Sequence, residues 1–146
     1  MRYKGRAKTG CKRRMKTVWT NGCFDILHRG HVEMFRFAKS LGDYLVVGLD
    51  TDEKVKKAKG ADRPFNNLRD REFLVSSLKF VDKTVSFSSQ KELENLIKTT
   101  KPDILIVGSD WEGKKVVGSE YAKEVVYFPR ITGYSTTKVL DNDNIC

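Results

Sequence analysis

Apolar residues along this chain fall into short unbroken runs separated by amphipathic stretches, and that alternation predicts most of the fold. Thr17-Val18-Trp19-Thr20-Asn21-Gly22 reads as a buried strand, and Cys23 to Arg29 as the loop leaving it. From Gly30 to Leu41, the residues Val32, Met34, Phe35, Phe37, Ala38 and Leu41 recur with helical spacing. Tyr44 to Leu49 is continuously apolar, as a parallel strand covered on both faces should be. A lysine-rich loop is expected from Asp50 to Asn67, then a helix from Leu68 to Phe80 with Phe73, Leu74, Leu78 and Phe80 as its apolar positions. Lys83 to Phe87 predicts a third strand and Gln90 to Thr99 an amphipathic helix, stopped by Pro102. Ile104 to Val107 is the fourth strand, and Glu124 to Phe128 a fifth, ended by Pro129. A short last helix is expected near Ser135. The sum is an α/β fold: a parallel sheet of about five strands with helices on both faces.

Length and charge narrow the setting. A chain of 146 residues is one domain with room for a core. It has no apolar run of about 18 residues, so no membrane span is expected, and no signal-peptide pattern follows the basic start. Cys11, Cys23 and Cys146 make no disulfide framework, which favours the cytoplasm. The net charge of +9 is a local matter. Residues 1–16 hold eight basic and no acidic residues, leaving 20 basic against 19 acidic groups in the rest. Residues 1–15 are therefore expected to be a disordered basic extension, and residues 16–146 the folded domain. Met15-Lys16-Thr17-Val18 looks like a natural start, so residues 1–14 are expected to be dispensable. A nucleic-acid partner is not expected; the alternative is an arm that binds a polyanion by counterion release.

The candidate chemistry begins at His28-Arg29-Gly30-His31. Two imidazoles three residues apart sit where a strand gives way to a helix, and free N–H groups with the helix dipole favour a phosphate there. Gly30 lets a ligand approach the backbone. A closed zinc site is disfavoured, since these are the chain's two histidines and no C-x-x-C pair accompanies them. No protein-held metal is assigned. Other candidates also follow strands: Gly108-Ser109-Asp110 the fourth and Arg130 the fifth, with Lys59 and Arg63 on the connection after the second. Ligands bind at that edge of open α/β sheets. A dinucleotide is disfavoured, because no G-x-G-x-x-G follows the first strand.

Asn21-Gly22-Cys23-Phe24-Asp25-Ile26-Leu27-His28-Arg29-Gly30-His31 resembles the opening of the cytidylyltransferase-like nucleotidyltransferases. Gly133-Tyr134-Ser135-Thr136-Thr137-Lys138 resembles their second signature, and the likeness runs from about Lys16 to Leu140. It implies a Rossmann-like enzyme that transfers a nucleoside monophosphate from a triphosphate to a phosphorylated sugar or polyol, releasing pyrophosphate. Lys59 to Asn66 and Val116 to Glu120 look like the adenylyltransferase half of ADP-heptose synthase. Asp110 to Lys114 and Phe128 to Thr137 look like glycerol-3-phosphate cytidylyltransferase. Adenylyl transfer to a heptose 1-phosphate-like sugar phosphate is favoured, with cytidylyl transfer from CTP to glycerol 3-phosphate as the alternative. A non-catalytic nucleotide- or RNA-binding module is the competing class.

The resemblance also implies roles. His28 and His31 donate to phosphate oxygens, and Lys59 closes over the triphosphate; these three are the catalytic candidates. Asn21, Gly22, Cys23, Phe24, Asp25 and Gly30 form the nucleotide side at the first strand's exit. There Asp25 is also a candidate to hold the loop, while Phe24 and Cys23 are candidates for the core. Asp110 meets the ribose or orients a metal. Ser135, Thr136 and Thr137 take the outer phosphates at a helix start, with helix capping as their alternative role, Arg130 pairs with a phosphate in bidentate fashion, and Tyr134 belongs to the same nucleotide-binding set. Arg71, Arg63 and Trp111 are the acceptor-side candidates. Magnesium is expected to come with the triphosphate, and a homodimer is possible on the family's pattern.

Overall fold

The computed structural model describes residues 14–129. Five parallel strands form one sheet: β1 (Thr17–Gly22), β2 (Tyr44–Asp50), β3 (Lys83–Phe87), β4 (Ile104–Gly108) and β5 (Glu124–Phe128). Their spatial order is β3-β2-β1-β4-β5. Four helices connect them: α1 (Arg29–Ser40), α2 (Asp52–Lys59), α3 (Leu68–Ser76) and α4 (Gln90–Thr100). Short 3-10 turns at Ser109–Trp111 and Ser119–Tyr121 fill the β4–β5 connection.

Alternation of side chains along the central strands builds two cores. On one face Val18, Leu45, Val47, Leu49, Ile104 and Ile106 pack against Phe35 and Ala38 of α1 and Val75 of α3. On the other, Trp19, Val46, Phe87 and Leu105 pack against Leu93 and Ile97 of α4. Both faces are covered, which is why these strands read as unbroken apolar runs. The expected α/β, Rossmann-like architecture is the one observed.

Carboxylates secure the amino edge of the sheet. Asp43 accepts from the Lys16 N–H (2.8 Å), Asp82 from the Leu45 N–H (2.7 Å) and Asp103 from the Thr17 N–H (2.8 Å). Asp103 is nearly buried and pairs with Arg14 and Lys123. The Arg14 guanidinium, with the Thr17 N–H and Lys123, holds its carboxyl well below the usual carboxylate range against the cost of burial. Arg14, assigned on sequence to the basic extension, is thus tied to the domain; residues 1–13 lie outside the described residues.

Two stretches differ from the sequence expectation. Part of the Asp50–Asn67 loop is helix α2, which buries just one residue, Val55, and so carries no apolar period. Its signals are polar: Thr51 caps the Lys54 N–H, acids Asp52 and Glu53 occupy the first turn, and Lys56, Lys57 and Lys59 the last. Helix α3 stops at Ser76 instead of reaching Phe80. There the Ser76 and Ser77 hydroxyls donate to the Phe73 carbonyl (3.1 and 2.6 Å). Phe73 and Leu74 are 70% and 42% exposed, while Arg71 and Val75 face inward. No helix among the described residues is long and apolar enough to cross a membrane.

Candidate active site

After β1 the chain runs outward to β2 and β3, then returns to place β4 on the other side of β1. The strand order therefore reverses between β1 and β4, where open α/β sheets leave a crevice at their carboxyl edge. A cavity of about 260 Å³ lies there, lined by Thr20, Asn21 and Gly22 of β1 and by Val107 and Gly108 of β4. Trp111, Val116 and Val117 form an apolar side, and Asp50, Lys54 and Gln90 a polar one. Asn21 is oriented by the Trp19 indole, which donates to its Oδ1 (2.9 Å), so the amide N–H₂ is the group left as donor. The Asp110 carboxylate lies close over Gly108, where a Cβ would meet its Oδ1 at 2.6 Å.

The two histidines cap α1 in an unusual way. The Gly30 N–H donates to His28 Nδ1 (3.1 Å), and the His28 N–H donates to His31 Nδ1 (3.3 Å). This is a capping box in which imidazoles replace the usual hydroxyl and carboxylate. Each Nδ1 is an acceptor, so Nε2 is assigned as the N–H donor of each ring. The rings stack with centroids 3.8 Å apart, and Phe24 meets His31 edge-on at 5.3 Å. Burial, then His28 and then the Lys59 ammonium push the His31 pKa down to about 3. His31 is neutral near pH 7 and offers a hydrogen bond without a charge. Neither ring lines the cavity itself; Met34, one turn along α1, does.

Lys59 ends α2 exposed to solvent. Gly60 follows with φ 115°, a backbone conformation open to glycine. The Lys59 charge is felt at both His31 and Cys23. Burial pushes the Cys23 thiol up, against Lys59 and Arg71, so it is not a poised nucleophile.

Several proposed binding residues are engaged within the protein instead. Phe24 is buried against Phe35 and His31. Asp25, 1% exposed, accepts from Arg63 Nε (3.2 Å) and from the Phe65 and Asn66 N–H groups (both 2.8 Å). Asp25 is thus a loop staple, and Arg63 pairs with it through Nε. Arg71 is fully buried. Its Nε donates to the Asn66 carbonyl (2.9 Å), its Nη1 to the Cys23 and Asp50 carbonyls (2.9 and 2.8 Å), and its Nη2 to Asp52 (2.7 Å). Arg71, an acceptor-side candidate on sequence, is in the described fold bonded internally through all three guanidinium nitrogens, as a buried charge must be. Trp111, 46% exposed, does line the cavity. Arg130, Tyr134, Ser135, Thr136 and Thr137 lie outside the described residues.

Sequence reasoning missed Asp50, Lys54 and Gln90. Lys54 pairs with Asp50 (3.2 Å) and lies over the Phe87 ring at 5.4 Å. No spacing signal marks them, because Asp50 ends β2 while Lys54 lies in α2, and the junction at Thr51 brings the two together.

A cytidylyltransferase-like family model matches residues 19–141. The chain belongs to the cytidylyltransferase-like family of nucleotidyltransferases. Among curated relatives, it is 49% identical over 127 residues to the bifunctional protein HldE of Helicobacter hepaticus, covering 87% of this chain and 26% of that protein. It is 52% identical over 124 residues to HldE of Campylobacter fetus, covering 85% and 27%. The chain spans about a quarter of the length of these relatives. Among solved structures, a lipopolysaccharide core biosynthesis protein from Thermoplasma volcanium is 30% identical with a TM-score of 0.64, over 84% of this chain and 100% of that one. A pantoate-beta-alanine ligase from Francisella tularensis, solved with a β,γ ATP compound and beta-alanine, shares the fold at 16% identity and a TM-score of 0.57, over 93% and 72%.

Proposed function

We propose that this member of the family transfers an adenylyl group from ATP to the phosphate of a heptose 1-phosphate-like sugar, releasing pyrophosphate. The observation that carries the reading is the stacked pair of imidazoles whose Nδ1 atoms accept from their own backbone, at a helix start beside the sheet's switch point. The adenylyl preference rests on the likeness of Lys59 to Asn66 and Val116 to Glu120 to the adenylyltransferase half of ADP-heptose synthase. Similarity to HldE proteins supports it. A cytosolic setting suits such a substrate.

In the reaction, an acceptor phosphate oxygen attacks the α-phosphorus in line. A new P–O bond forms, the bond to the β-phosphate oxygen breaks, and pyrophosphate leaves with the electron pair. The acceptor phosphate is ionised at neutral pH, so no general base is needed. His28 and His31 supply preorganised donors where negative charge builds on the α-phosphate. Lys59 neutralises the outer phosphates and, beside Gly60, has backbone freedom to follow them.

Among the described residues, no three His, Cys, Asp or Glu side chains converge on a metal site. The magnesium ion expected with a triphosphate would offset phosphate charge, coordinated largely by the phosphates and water as that ion usually is. The base occupies the apolar side near Trp111. The acceptor's hydroxyls face Asp50, Lys54 and Gln90, a polar wall whose opposed charges cancel and so suit a neutral polyol body.

A pyrophosphate-release screen tests this, with four nucleoside triphosphates against a panel of sugar and polyol phosphates. ATP with a heptose 1-phosphate is the expected pair. Preference for CTP with glycerol 3-phosphate would overturn the adenylyl choice, and no release from any pair would remove the enzyme reading.

A further inference from the structure

Helix α2 is poorly held by packing, since Val55 is its one buried residue. It nevertheless carries Lys59 at its last position. What fixes its first turn is the buried Arg71 guanidinium, 2.7 Å from Asp52 Oδ1. The same guanidinium binds the carbonyls of Cys23, at the exit of β1, and Asp50, at the end of β2. One side chain therefore ties the start of α2 to the loop that leads into His28. Beyond α2 the chain is secured again where Asp25 holds Arg63, Phe65 and Asn66. The Lys59–Asp62 span hangs between these two clamps.

We propose that Asp52 and Arg71 are positioning residues, which set where Lys59 meets the triphosphate without touching substrate themselves. This rests on the nucleotidyltransferase reading above and on Lys59 acting at the phosphates. Rigid support of a donor matters because small misplacements in a preorganised site cost large factors in rate.

A double-mutant cycle tests it: wild type, Asp52→Ala, Lys59→Ala and the double variant, with kcat and both KM values measured by pyrophosphate release. Asp52→Ala is expected to lower kcat by about tenfold or more, with the acceptor KM within about twofold. In the Lys59→Ala background it should add less than about twofold, because the residue it positions is gone. Asp52→Asn, which keeps an oxygen for Arg71, should recover kcat to within about threefold of wild type. If Asp52→Ala does not fold, Asp52→Ser takes its place in the cycle, being too short to reach the guanidinium. Multiplicative losses in the double variant would overturn the proposal, as would a rise confined to the acceptor KM. Absence of wild-type turnover with every substrate pair would instead sink the functional reading on which it rests.

Discussion

Replacing His31 by alanine separates its structural work from its chemical work, and the structure sizes both. The ring accepts one capping hydrogen bond from the His28 N–H, stacks on His28 and packs edge-on against Phe24. Loss of such a cap costs about 1 kcal/mol, and loss of the ring contacts a further 0.5–1.5 kcal/mol or so. The sum, about 2 kcal/mol, corresponds to a fall in Tm of about 5–10 °C for a domain of this size. The protein stays folded. Losing one preorganised donor to the transition state should lower kcat by about 10²–10³. Thermal unfolding and pyrophosphate release at saturating ATP and sugar phosphate measure the two effects on the same sample. A folded variant with kcat within about threefold of wild type would refute the reasoning, because it would take His31 out of the transition state.

Three further outcomes follow from the same geometry. An unfolded His31 binds a proton below its ordinary value of 6.5 while the folded one stays neutral to about 3, so stability falls as pH drops through that window. Urea unfolding at pH 7.5 and 5.0 should show the advantage of wild type over His31→Ala shrinking by about 2 kcal/mol or less; an unchanged gap contradicts the buried neutral ring. Asp25→Ala strands Arg63 and two backbone N–H groups, and should cost about 3–5 kcal/mol in denaturant unfolding; a loss under about 1 kcal/mol would deny the staple its role. Lys54→Gln should raise the acceptor KM by about tenfold and leave the ATP KM alone; movement of the ATP KM instead would take Lys54 off the acceptor side.

The sheet was legible in the sequence because strands buried on both faces leave unbroken apolar runs, as Tyr44 to Leu49 does. The histidine pair was legible because it falls where such a run ends and a helical period begins. Helix α2 was not, since a helix held by one buried valine and by ion pairs at Asp52 and Lys54 writes no apolar period into its sequence. Phe73 and Leu74 misled for the opposite reason: they are apolar, but α3 turns Arg71 inward in their place. No local spacing announces that inversion. The partners of Arg71 come from Cys23, Asp50, Asp52 and Asn66, brought together by the fold. Asp25 was foreseen as a loop holder, yet its partners forty residues away were not, because hydrogen bonds to backbone N–H groups leave no mark on residue identity.

Catalysis by the two imidazoles depends on where a triphosphate lies relative to them. A crystal structure of the chain with a non-hydrolysable ATP analogue answers that directly. We expect α-phosphate oxygens at about 2.7–3.2 Å from Nε2 of both His28 and His31, with the base in the cleft between β1 and β4. A triphosphate bound elsewhere, with neither imidazole in contact with a phosphate oxygen, would contradict the account.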